Sequence, residues 1–165
     1  MKVSIICATS LDGFINKLDR GKLTWGSTED KQHFAEETRR TGVAIMGQTT
    51  FDTFDEPLPG RLNVVVTRTP KEDTDDVIYV DGNAHTILED MKTRGFSEVS
   101  VIGGSMINTL FMDAGVVTDL LITITPHVFG EGVPLFGKLN KEYDLALIDT
   151  RPLGPGEMLH HYKVV

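Results

Sequence analysis

The chain has 165 residues, with sixteen Lys and Arg against twenty-four Asp and Glu, a formal charge of −8, and 40% hydrophobic residues. A chain of this length makes one ordinary domain that buries roughly two-thirds of its unfolded surface, so a core needs no structural metal, and the single Cys7 excludes an intrachain disulfide. The acidic balance repels phosphate backbones and anionic lipid, which argues against a nucleic-acid partner or a membrane surface and leaves room for one small anionic ligand.

The opening Met1-Lys2-Val3-Ser4-Ile5-Ile6-Cys7 reads as a strand. It lacks the longer apolar run of a signal peptide or membrane span, and a cytoplasmic location is expected. Residues 3–8, 43–46, 63–67, 99–102 and 120–125 are short apolar runs, nearly all rich in Val and Ile. Their lack of polar alternation predicts strands covered on both faces, as in a parallel sheet. Between them a helix is expected over about 28–41. Ala84, Ile87, Leu88 and Met91 follow helical spacing, with Asn83 as N-cap and Gly95 as stop. Met106, Ile107, Leu110 and Phe111 form a further apolar stripe. Residues 143–149 and 158–165 have strand composition, and Arg151-Pro-Leu-Gly-Pro-Gly156 reads as the turn joining them, which predicts an antiparallel pair closing one sheet edge. No composition shift marks a domain boundary, so residues 1–165 are read as one domain.

Chemistry is expected at strand ends. Val101-Ile102 runs into Gly103-Gly104-Ser105 and straight into the Met106 helix, and Ile45-Met46-Gly47-Gln48-Thr49-Thr50 has the same layout. Glycines there let a ligand approach the backbone, and free helix N–H groups attract phosphate, so two such turns suit the pyrophosphate of a dinucleotide; either is otherwise a tight turn. Asp30 and Phe34, four residues apart, share a helix face and suit one pocket. Ser27 and Asp30 equally fit a weak capping box. Pro57-Leu-Pro-Gly-Arg61 is a rigid turn that delivers an arginine to the following strand, functional or merely on the surface. His33, His85, His127, His160 and His161 show no zinc spacing, and no metal is expected.

Taken together, Trp25-x4-Asp30-x3-Phe34, Ile45-Met-Gly-Gln-Thr-Thr-Phe51, Pro57-Leu-Pro-Gly-Arg-Leu-Asn-Val-Val-Val66 and Val101-Ile-Gly-Gly104 resemble dihydrofolate reductase in order and approximate spacing, from Val3 to about Pro134. Ser10-Leu-Asp-Gly13 and Thr125-Pro-His-Val-Phe-Gly-Glu-Gly132 look like the reductase domain of riboflavin biosynthesis, a relative of the same fold. The resemblance implies an α/β fold of dihydrofolate-reductase type: a central, mostly parallel mixed sheet with helices on both faces and an antiparallel C-terminal hairpin.

It also implies roles. Asp30 matches the acid that holds the pterin 2-amino group and N3 and assists protonation of N5. Thr123 matches its hydroxyl partner, and Trp25 joins them in the catalytic set. Ile6, Ala8, Phe34, Phe54 and Arg61 match substrate positions, Arg61 being the arginine for the α-carboxylate of the glutamate tail. Ala8, Ile15, Gly47, Gln48, Thr49, Thr50, Thr67, Arg68, Ile102, Gly103, Gly104, Ser105 and Met106 match the cofactor side, with Arg68 placed for the 2′-phosphate of NADPH. The stretch 12–25 matches the mobile loop that covers the nicotinamide. Lys31, Gln48, Asn108 and Asn16 depart from the residues common at their positions. The activity so implied is NADPH-dependent reduction of dihydrofolate. The alternatives are a riboflavin-pathway pyrimidine reductase and a non-catalytic nucleotide-binding module, in a monomer or homodimer. Arg61 separates the first two, having a task only for a substrate that ends in a carboxylate.

Overall fold

The Val- and Ile-rich runs form the middle of one sheet. The computed structural model describes residues 1–165 other than 20, 23 and 70. In chain order its elements are β1 (Lys2–Thr9), β2 (Phe14–Asn16), α1 (Thr28–Thr41), β3 (Val43–Gly47), α2 (Gln48–Phe51), β4 (Leu62–Val66), β5 (Val77–Val80), α3 (Ala84–Thr93), β6 (Glu98–Val101), α4 (Ser105–Asp113), β7 (Asp119–Ile124), β8 (Val133–Pro134), β9 (Leu145–Pro152) and β10 (Met158–Val164). The eight-stranded sheet runs β5-β4-β3-β6-β1-β7-β10-β9. From β5 to β7 every pairing is parallel, and β10 and β9 close the far edge antiparallel, as expected. The parallel strands therefore end along one rim, where the glycine turns after β3 and β6 meet the ends of β1 and β7.

Strand alternation divides the apolar residues between two faces. Val3, Ile5, Val43, Ile45, Val99 and Val101 pack against Ile87, Leu88 and Met91 of α3 and Phe111 and Met112 of α4. On the other face Ala44, Met46 and Ile102 meet Phe34 of α1, Phe51 of α2, Phe54 and Leu58. A fully buried Ile, Val or Met stabilises such a core by about 1.5–3 kcal/mol, so the first face, with the larger cluster, carries most of the fold.

Three expectations are corrected. Met106 does not belong to the buried stripe: it is 80% exposed, while α4 buries Asn108, Phe111 and Met112. Two residues are about 200° of helix, so a buried Asn108 turns Met106 outward. The late strand starts at Leu145 rather than 143, because the Tyr143 hydroxyl donates to the Met112 carbonyl at 2.5 Å and ties that segment to α4. Arg151 and Pro152, read as turn, extend β9 and pair with Leu159 and Met158; a charge and a proline suit an edge strand, whose outer side needs no ladder partner. The strands β2, β5 and β8 were not expected.

The caps follow the sequence. The Asn83 side chain accepts the Thr86 N–H at 3.1 Å, and Gly95 takes the left-handed conformation, φ 91°, just past α3. Asn83→Ala is expected to lower stability by about 1 kcal/mol, read as an earlier urea midpoint with an unchanged slope. Among the described residues no helix is long and apolar enough to cross a membrane.

Candidate active site

The floor of the site follows from register. Ala8 of β1 lies beside Thr123 of β7, which lies beside Leu159 of β10, and Ile6 precedes on the same face. Above this row α1 begins. Ser27 caps it, its hydroxyl accepting the Asp30 N–H at 3.0 Å, as half of a capping box requires. The other half does not come from Asp30. The Ser27 N–H donates instead to Glu157 Oε1 at 3.0 Å, and the Asp30 carboxyl faces the Thr123 hydroxyl. Burial raises the Asp30 carboxyl above its ordinary range, the Thr123 hydroxyl pulls it back, the nearby Glu157 charge raises it further and Lys31 opposes. Lys31 itself is exposed. Phe34 and Phe54 line the apolar wall with Met46, Ile102 and Leu58.

The other half of the rim is built on backbone. The Gly47 N–H donates to the Gly103 carbonyl at 2.9 Å, which joins the turn after β3 to the turn after β6. The Gly103–Gly104 peptide is cis, and Gly103 has φ 99°, a conformation side chains rarely adopt. Gly47 and Gly104 stand at the N-caps of α2 and α4, and neither helix start is capped by a side chain. A Cβ on Gly47 would come within 3.1 Å of Ile107 Cγ1, and one on Gly104 within 3.4 Å of Thr50 Oγ1. Open N–H groups flanked by the hydroxyls of Thr49, Thr50 and Ser105 fit a diphosphate. Thr67, just past β4, donates its N–H to Val80 and accepts the Thr69 N–H at 3.2 Å, and Arg68 beside it is exposed. Gln48 Nε2 donates to Asp52 at 2.7 Å, and its Oε1 is enclosed without a protein partner.

A loop closes the third side. The Asp12 carboxylate accepts the N–H groups of Phe129 at 3.1 Å and Gly130 at 2.7 Å, so the Ser10–Gly13 and Thr125–Gly132 motifs lock together. Trp25 meets Phe129 edge-on, with ring centroids 5.3 Å apart, and His127 at 6.3 Å; its indole N–H is enclosed without a protein partner. Ile15 reaches within 3.9 Å of where a Gly103 Cβ would stand. Residues 20 and 23 of the expected covering loop lie outside the described residues.

Arg61 stands apart. It is 5% exposed rather than on the surface, and it donates to the Pro59 carbonyl at 2.9 and 3.1 Å and to Thr38 Oγ1. Asn108 and Cys7, to which the sequence assigned no contact, meet inside the fold. Asn108 donates to the Leu135 carbonyl at 3.0 Å and touches Cys7 Sγ at 3.6 Å, with its Oδ1 enclosed and unpartnered. Burial pushes the Cys7 thiol up to about 12, against the Asn108 amide and with the Asp30 charge adding to the rise.

The family model for dihydrofolate reductase matches residues 2–148. The chain belongs to the dihydrofolate reductase family. Among relatives, the YwjB protein of Bacillus subtilis (strain 168) is 27% identical over 171 residues, spanning 98% of both chains. The dihydrofolate reductase of Haemophilus influenzae is 34% identical over 104 residues, 63% of this chain and 61% of that enzyme. In structure, a putative riboflavin biosynthesis protein from Shewanella sp. PV-4 superposes with a TM-score of 0.83 at 25% identity, covering 100% of this chain and 99% of that one. The deaminase/5-amino-6-(5-phosphoribosylamino)uracil reductase of Thermotoga maritima shares the fold, with a TM-score of 0.83 at 17% identity over 99% of this chain and 56% of its own length. The dihydrofolate-reductase fold expected from the motifs is thus the fold observed, and the chain stands in a reductase family.

Proposed function

We propose that this chain catalyses the NADPH-dependent reduction of a C=N bond in dihydrofolate, with Asp30 assisting protonation of the nitrogen. The observation that carries this reading is the Asp30 carboxyl, half-buried, backed by Thr123 and raised above its ordinary range at the rim where the glycine turns meet. When bound, NADPH supplies the hydride. The backbone N–H groups after Gly47 and Gly104, with Thr49, Thr50 and Ser105, would hold its diphosphate, and Thr67 and Arg68 its 2′-phosphate.

The chain's own residues do the rest. Ile6, Ala8, Phe34 and Phe54 present apolar side chains that suit a flat ring and keep bulk water from it. Asp30 anchors the ring's amino group and N3, polarises the ring, and assists protonation of N5, the nitrogen of the reduced C=N bond, through a water molecule. A carboxyl raised above its ordinary range holds its proton more tightly than an ordinary aspartate does, which suits an acid in this place. The apolar wall of Phe34, Phe54 and Leu58 also suits the aminobenzoyl group of a folate.

One observation favours a second substrate. Arg61 spends its donors on Pro59 and Thr38 inside the protein, which removes the feature that called for a carboxylate-ended substrate and supports a ribosylamino-pyrimidine of the riboflavin pathway. Steady-state NADPH consumption with each substrate decides between them. The expected result is turnover of dihydrofolate. Consumption with the pyrimidine alone would transfer the activity to the second reading, and consumption with neither would leave a nucleotide-binding module.

A further inference from the structure

Glu157 sits in the turn between β9 and β10, is 3% exposed, and has no part in the reaction as described so far. Its whole carboxylate is spent on one residue: Oε1 accepts the Ser27 N–H at 3.0 Å, and Oε2 accepts the Ser27 hydroxyl. The same Ser27 Oγ accepts the Asp30 N–H at 3.0 Å. In an ordinary capping box the third helical residue, here Asp30, reaches back to the N-cap N–H and loses its freedom to face anything else. Glu157, 130 residues further along the chain, makes that bond instead. The turn is shaped for the contact. The Leu153 N–H donates to the Glu157 carbonyl at 3.0 Å, the Glu157 N–H donates to Gly154 at 3.1 Å, and a Cβ on Gly154 would lie 2.6 Å from Ser27 Oγ and 2.7 Å from Glu157 Oε2. A carboxylate at the start of α1 also meets the positive end of the helix dipole.

We propose, on the basis of the reductase reading above, that Glu157 is a positioning residue of this active site: by holding Ser27 it fixes the first turn of α1 and so the place at which Asp30 meets its substrate. Its charge acts there too. The groups that bear on Asp30 are Lys31 on its own helix, Thr123 from β7, Cys7 from β1 and Glu157 from the β9–β10 turn; of these Glu157 is the one like charge, since the Cys7 thiol stays protonated. Glu157 therefore raises the Asp30 carboxyl while leaving it free of the capping bond.

The test is Glu157→Gln in the full chain, which keeps the volume and one acceptor and removes the charge. Expected are an approximately tenfold fall in kcat on the better of the two substrates, since small misplacements cost catalysis steeply, and an NADPH KM changed less than about twofold, because that half of the site rests on Gly47 and Gly104. The ¹³C carboxyl titration of Asp30, followed without substrate, moves to lower pH, and the limb of the pH profile that reports Asp30 moves with it. Adding Ser27→Ala to Glu157→Gln costs little more than either alone, because both sever one link. An unmoved titration, or losses that multiply, overturns the proposal. If Glu157→Gln loses its native circular dichroism, Ser27→Ala alone carries the test through kcat and the NADPH KM, and an unchanged kcat overturns it. A parent chain that turns over neither substrate while the Asp30 titration still moves in Glu157→Gln sinks the reductase reading and upholds the hold on Asp30.

Discussion

Asp30→Asn is expected to slow turnover by about three orders of magnitude, within the range that a positioned acid contributes, while leaving NADPH affinity nearly unchanged. Asn keeps the shape and an acceptor for the Thr123 hydroxyl, so the loss isolates the proton and the charge. The same substitution has a predictable effect on stability. The folded state raises the carboxyl because burial outweighs the Thr123 hydrogen bond, with the Glu157 charge adding. An acid raised on folding binds its proton more tightly in the native state, so stability is intact below the unfolded carboxyl's range and is lost as pH rises through the folded value. Above the folded value the wild-type chain therefore carries the cost of ionising a half-buried aspartate, and Asp30→Asn removes it. Its Tm is expected to exceed the wild type's near pH 7 and to match it under acid conditions, as measured by thermal melts across pH. A variant that loses activity and stability together at pH 7 would mark Asp30 as part of the scaffold, and one that keeps full turnover would remove it from the chemistry.

That trade of stability for function is partly legible in the sequence. The inner strands announce themselves because both faces are covered and their residues are uniformly apolar. Helix α1 shows its limits through Ser27 and Gly42, whose N–H bonds back to Arg39 at φ 75°. The family resemblance implies Thr123 as the partner of Asp30 and sets both glycine turns on one side, and in the structure Asp30 faces Thr123 and the two turns join. Elements defined by distant partners stay hidden. The strands β2 and β8 are three and two residues long and exist because the loop after β1 pairs with the segment after β7. The strand β5, Val77-Ile-Tyr-Val80, is a single short run behind an acidic stretch, and it becomes a strand because the free edge of β4 accepts it. At the site the same division holds. A capping pattern offers Asp30 a structural role as well, and the local sequence does not show that Glu157 makes the Ser27 bond in its place from the far end of the chain. Arg61, read from its turn as either a substrate arginine or a surface one, folds back because the carbonyl of Pro59 and the hydroxyl of Thr38 lie within its reach.

The second large effect is expected on the cofactor half. Gly47 has φ −79°, which any residue adopts, so its role is one of space and not of backbone freedom. A Cβ there already approaches Ile107 Cγ1 to 3.1 Å. The branched side chain of Gly47→Val must displace Ile107, and with it the first turn of α4, or else stand in the open corner between the two turns. Either way the N–H groups after Gly104 lose their aim, and NADPH Kd is expected to rise about a hundredfold, near 2.8 kcal/mol at about 1.4 kcal/mol per tenfold. Overpacking of this kind costs the fold about 1–3 kcal/mol, so calorimetric titration of NADPH is paired with urea unfolding to separate the two effects. Gly47→Ala, which asks Ile107 to yield only a few tenths of an ångström, is expected to weaken binding far less. A Val variant that is less stable yet binds NADPH as tightly as the wild type would mean that the dinucleotide does not cross this junction. The contrast with Asp30 makes the pair informative: Gly47→Val should leave the Asp30 titration where it is, and Asp30→Asn should leave the NADPH Kd where it is. Two halves of one rim, one built from side chains and one from bare backbone, should then fail independently.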